Sequence, residues 1–243
     1  MLQAVERAIE VYGTPEPAIA VDSRYNGPPG MGNGGYIAGT LSRFFAGPVE
    51  VTIRRPVPLD RPLRVQQQPE HVSAWHEYSL IASVRPVDRI DMVVPKAPTF
   101  EEAEQAARVS RYQHEHPFPG CFVCGTQRPD GLGILPGRVA GRDIIATTWT
   151  PDMDLAEGGV VAPEFVFGAL DCPGGLAIVY DDPYRGVLGR ITAEIIEPVA
   201  PEERYIIAAW RTGEDGRKQF AGTALYTESG QVVARAEAVW FAI

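Results

Sequence analysis

Val49, Val51 and Ile53 alternate with Glu50, Thr52 and Arg54, a two-residue period that predicts a strand with one face buried. The segments "PLRVQQQ", "EYSLIASVRP" and "IDMVVP" read as further strands, and "PAIAVDSRY" as a short one before them. Later in the chain "RDIIATTWTP" is strand-like. Four more follow it: "VLGRITAEIIEPV", "RYIIAAWRT", "KQFAGTALYTE" and "QVVARAEAVWFAI", with "GEDGR" and "ESGQ" as hairpin turns. Helical spacing is rarer. Leu2, Val5 and Ile9 mark an opening helix, and "YIAGTLSRFF" predicts one whose start falls at Gly34 and Gly35, just past a Gly/Pro-rich stretch. "TFEEAEQAARVSRY" opens with Thr99 followed three residues on by Glu102, the pattern of a capping box. "PEFVFGALDCPGGLAIVY" has Pro163 suited to a first helical position and Glu164 to a first turn.

The elements occur twice in the same order, strand, helix, then strands. Ile53 to Val65 ("IRRPVPLDRPLRV") also aligns with Ile195 to Ile207 ("IIEPVAPEERYII"), with Pro56-Val57 over Pro198-Val199. A duplicated unit is the reading that joins both facts. It divides the chain into residues 1–112, a Pro/Gly-dense connector 113–135, and residues 136–243.

The chain has 243 residues, 45% of them apolar and 22% charged, enough to bury a substantial core. A net charge of -9 argues against a nonspecific nucleic-acid binder, which needs a concentrated basic face. Three cysteines give no disulfide framework, the first residues lack a secretion signal, and no apolar run is long enough to span a membrane. A cytoplasmic protein is expected.

One residue stands out from its surroundings. Asp171 lies in "VFGALDCPGGLAIV", an otherwise apolar stretch, where a carboxylate needs a partner or a task. It is a candidate catalytic acid, and a structural helix-end acid is the competing reading. His114, His116, Cys121 and Cys124 share a short window that could form a tetrahedral zinc site, although a packed, reduced connector without metal is the expected state. Cys172 points about 100° away from Asp171 around the helix, and no Ser-His-Asp order or GxSxG elbow suggests another hydrolase.

"GNGGYIAG", "CFVCGTQRPDGLGI" and the ending "GTALYTESGQVVARAEAVWFAI" together resemble the acyl-CoA thioesterases of the hotdog superfamily. The resemblance implies an α+β double hotdog: two antiparallel sheets, each wrapped around a long central helix, forming a pseudo-dimer. It implies a thioester substrate such as acyl-CoA and no other cofactor. The site would lie between the halves, with a helix N-terminus as oxyanion hole and a carboxylate from the other helix as base or nucleophile.

Carried over by position, the resemblance assigns the oxyanion side to Asn33, Gly34 and Gly35 and the acid to Asp171, with Thr192 orienting water. Tyr36, Ile37, Phe165 and Phe167 would form the acyl wall. The mirrored combination of Ser42 with Pro163 and Glu164 should be inactive. A noncatalytic acyl-CoA or lipid-binding protein is the alternative, and monomer and homodimer both remain open.

Overall fold

The computed structural model describes residues 17–181 and 186–242. The helix expected around Leu2, Val5 and Ile9 lies outside them. The first half comprises β1 (Ala18–Ile19), α1 (Gly34–Ser42), β2 (Val49–Ile53), β3 (Leu63–Gln68), β4 (His71–His76), β5 (Ser79–Pro86) and α2 (Phe100–Arg108). The second comprises β6 (Gly137–Arg138), β7 (Ile145–Trp149), the short pair β8 (Ala156–Glu157) and β9 (Val160–Val161), α3 (Pro163–Ile178), β10 (Gly186–Ile195), β11 (Tyr205–Asp215), β12 (Lys218–Thr227) and β13 (Val232–Ala242). Residues 90–95, expected as a strand, form no ladder. Met92 and Val94 instead pack as extended chain against the outer core described below.

The two sheets that the resemblance implies are joined into one of eleven strands. The order is β1-β3-β4-β5-β2-β10-β13-β12-β11-β7-β6, and the halves meet where β2 pairs antiparallel with β10, Thr52 opposite Arg190 and Val49 opposite Ala193. Outward from that seam both sides run in matching order: β2, β5, β4, β3, β1 on one, and β10, β13, β12, β11, β7 on the other. The aligned segments occupy matching places too. Gly32 N–H donates to Val57 O at 2.9 Å just before α1, and Val161 N–H donates to Val199 O at 2.8 Å just before α3.

Helices α1 and α3 lie together on one face of the sheet, running in opposite directions. Their contact is set by glycine. A Cβ on Gly35 would come 2.5 Å from Phe167 O, and one on Gly39 would come 2.3 Å from the Glu164 Cα. With no side chains between them, the two backbones touch, and Ile37, Leu41, Val166 and Leu170 fill the flanking core beneath Val51, Ile191 and Ile207.

The third helix covers the other face. Thr99 accepts from Glu102 N–H at 3.1 Å while Glu102 Oε2 accepts from Thr99 N–H at 2.7 Å, completing the capping box. Ala103 and Ala106 then pack on Ile144, Ala146, Ile206, Ala208 and Tyr226. A helix from the first half therefore seals strands of the second, and Tyr205–Trp210 of β11 is buried on both faces.

Candidate active site

Helix α1 begins where its sequence predicts. Asn33 is extended (φ -64°, ψ 134°) and its side-chain oxygen accepts from Tyr36 N–H at 2.9 Å. Ile37 N–H bonds to Asn33 O. Two of the helix's four leading amides remain. Gly35 N–H donates to Asp171 Oδ2 at 2.7 Å, across 136 residues of sequence. Gly34 N–H has no acceptor among the described residues.

Asp171 is 2% exposed and its Oδ1 is buried without a hydrogen-bond partner among the described residues. Burial pushes its carboxyl up to about 8, with the Gly35 amide pulling the other way and Cys121 adding a smaller upward push. Both glycines permit close approach: at Gly35 a Cβ would meet the α3 backbone, while Gly34 borders the cavity described next and a Cβ there would crowd Leu188 at 2.9 Å. Helix α3 continues through Pro173 to Ile178, and beyond the proline Gly175 admits Trp240, whose ring would lie 2.6 Å from any Cβ there.

Beside this contact lies a cavity of about 760 Å³. Asn33, Gly34, Asp171 and Cys172 border it on one side, and Ile53, Leu176, Val179, Leu188, Phe220 and Trp240 give it apolar walls. Exposed Arg54, Arg55, Arg217 and Lys218 border it as well, together with Arg190. Arg190 reaches Glu50 at 3.5 Å and Lys218 reaches Asp215 at 3.8 Å. Arg54, Arg55 and Arg217 form no ion pair among the described residues, so a chain of charge -9 sets a cluster of cations beside this cavity.

Several expected site residues lie elsewhere. Thr192 sits between fully buried Ile191 and Ala193, so strand alternation turns it to the face of the sheet away from α3, in register with Glu50 and Glu237. Tyr36 stacks on Tyr25, ring centroids 4.1 Å apart, and Phe165 meets both edge-on. Ile37 and Phe167 are core. None of these four borders the cavity, whose walls come instead from β2, β10, β12, β13 and the end of α3. Leu188, Phe220 and Trp240 were visible in sequence only as apolar strand positions.

The mirrored end of the helix pair is closed. Ser42 Oγ–H donates to Gly39 O at 2.7 Å, and Arg43 grips Glu164 through Nε and Nη2, both at 3.0 Å. Ala162 supplies no side-chain cap, and Pro163 has no amide.

No protein-family model matches the chain, and no curated protein matches it in sequence. Solved structures do match. A tesB protein from Mycobacterium avium subs paratuberculosis superposes with a TM-score of 0.57 at 14% identity, covering 89% of each chain. A hot dog fold protein of unknown function from Alicyclobacillus acidocaldarius gives 0.60 at 10% identity, over 93% of this chain and 92% of that one. The chain has a hotdog fold. A candidate thioesterase from Novosphingobium aromaticivorans aligns equally well, at 0.60 and 12% identity over 92% and 94%. At such identities the likeness is one of fold, and it transfers no side chain. Within this hotdog fold the Gly35–Asp171 contact falls where α1 and α3 cross. No helix among the described residues is long and apolar enough to cross a membrane.

Proposed function

We propose that this chain is a double hotdog, two fused halves related as a pseudo-dimer, and that it hydrolyses acyl thioesters at the open end of its helix pair. One observation carries the reading: the amide of Gly35 and the carboxylate of Asp171, one from each half, meet at 2.7 Å beside an apolar cavity. Gly35 holds Oδ2 and so aims Oδ1 away from the bond. Asp171 removes a proton from water, and the oxygen attacks the thioester carbon. Negative charge then builds on the carbonyl oxygen, which the free Gly34 amide at the positive end of α1 receives. Collapse expels the thiolate, and Asp171 returns its proton to that sulfur. Direct attack by Asp171 to form an anhydride uses the same contacts.

The apolar walls suit an acyl group, and the arginines and lysine beside the cavity suit a thiol carrier that bears phosphates, as coenzyme A does. A second reading, acyl-CoA binding without turnover, has its own support: the Gly35 amide is already occupied, and a carboxyl pushed up to about 8 is mostly protonated near neutrality. A panel of acyl-CoAs of different chain length, assayed with a thiol reagent, separates the two. Thiol release that disappears in Asp171→Asn supports hydrolysis. Binding across the panel with no thiol release would leave only the binding protein.

A further inference from the structure

Three thiols with no part in the chemistry above converge at the cavity wall. Cys121 and Cys124 come from the connector and Cys172 from α3, and their Sγ atoms all lie within 4.8 Å of one another. All three are buried and none is in a disulfide. The Cys121 and Cys172 sulfurs are 3.7 Å apart. A disulfide would need about 2.05 Å. Two thiolates on a tetrahedral zinc, with bonds of about 2.3 Å, stand roughly 3.8 Å apart, a separation that the Cys121–Cys172 gap already matches.

The turn Cys121–Gly125 closes through Gly125 N–H to Cys121 O at 2.8 Å, and a Cβ on Gly125 would meet that oxygen at 2.4 Å, so only glycine permits it. Asn33 turns its side-chain NH₂ to the same cluster, 3.6 Å from Cys172 Sγ and 3.9 Å from Cys121 Sγ, the position of an outer partner that orients metal ligands. His116 borders the same cavity. Its Nδ1 accepts from Phe118 N–H at 3.0 Å, so in the neutral ring Nε2 carries the proton and offers no lone pair to a metal, and the ring stands outside the group of three sulfurs.

We propose that Cys121, Cys124 and Cys172 bind a zinc ion through their three thiolates, with its fourth position turned to the cavity they border. Relative to the sequence expectation, Cys172 takes the place of the histidines: His114 is exposed, and His116 presents a protonated Nε2. Three protein ligands leave one zinc position open. The ion would pin the connector to α3 one residue from Asp171, and its binding does not depend on whether the protein hydrolyses thioesters.

The test uses the full chain, purified without a polyhistidine tag under reducing, chelator-free conditions. Elemental analysis should find one zinc per chain. After removal of the metal, cobalt(II) should restore an intense visible spectrum of tetrahedral type with a near-ultraviolet thiolate-to-cobalt charge-transfer band. Cys172→Ser should lose stoichiometric metal. Wild-type protein that carries no zinc and gives no charge-transfer band with cobalt would overturn the proposal, without any reliance on variants that fold poorly. Thioester turnover is measured separately, so either result leaves the hydrolysis reading to its own assay.

Discussion

The two ends of the α1–α3 pair are built on one plan and differ at three consecutive positions. At the open end the helix starts Asn33-Gly34-Gly35, with a capping side chain, a free amide and an amide bonded to Asp171. At the closed end it starts Ala162-Pro163-Glu164, with no capping side chain, no amide at the first position and a carboxylate tied to Arg43. The opposing residue differs to match, Asp171 at one end and Ser42 at the other. A hydrogen-bond donor, a partial positive charge and an acid coincide at only one of the two, and the cavity opens there. The comparison teaches that the same helix crossing can make a site or a brace, according to what its first amides are doing.

The sharpest way to break this contrast is to remove the acid. Asp171→Asn should lower thioester turnover by roughly a hundred- to ten-thousand-fold, the range for loss of a general base, while Ser42→Ala leaves turnover at the wild-type level. The reverse outcome would move the site to the closed end. Next in size, the open end can be given the closed end's chemistry. Gly34→Pro deletes one amide at a first helical position, where proline is tolerated, and Asn33 already has the extended backbone that precedes proline. We expect kcat to fall roughly a hundred- to a thousand-fold, as for loss of one oxyanion donor. Gly34→Ala is the control, because it keeps the amide while adding the Cβ that crowds Leu188 at 2.9 Å. If both variants lose the same activity, crowding and not the amide is responsible.

Gly35→Ala tests the crossing itself. Its Cβ would have to displace α3 backbone, and by analogy with overpacked cores we expect a cost of about 1–3 kcal/mol in chemical denaturation. Arg54→Ala combined with Arg217→Ala should raise KM for a CoA thioester and flatten its dependence on salt while sparing kcat, because both cations are exposed beside the cavity. The smallest effect belongs to the closed end. Glu164→Gln loses an ion pair with partly exposed Arg43, so about 1 kcal/mol or less of stability should go, and turnover should not change.

Much of this asymmetry could be read before any coordinates. Gly34 and Gly35 announce a helix start by composition, and Asp171 stands out because its neighbours are apolar. Pro163 declares its missing amide by identity alone. Those are local signals. The failures required information that strand period or spacing carried but that was outweighed by analogy: Ile191 and Ala193 already imply that Thr192 faces away from the helices. Other features are tertiary. That β2 would pair with β10, that the aromatic residues of α1 and α3 would stack on Tyr25, and that Cys172 would meet the connector's cysteines all depend on contacts between segments far apart in sequence. No periodicity encodes such partners.

Helix α2 carries a practical consequence for divisibility. Its residues lie in the first half of the chain, yet they form the lid on Ile144, Ala146, Ile206 and Ala208 of the second half. Cutting the chain after residue 112 would strip that lid and leave a bare apolar sheet face, a surface prone to self-association. We expect neither half of the chain to stay monomeric when expressed without the other, which size-exclusion chromatography of the separated halves would check.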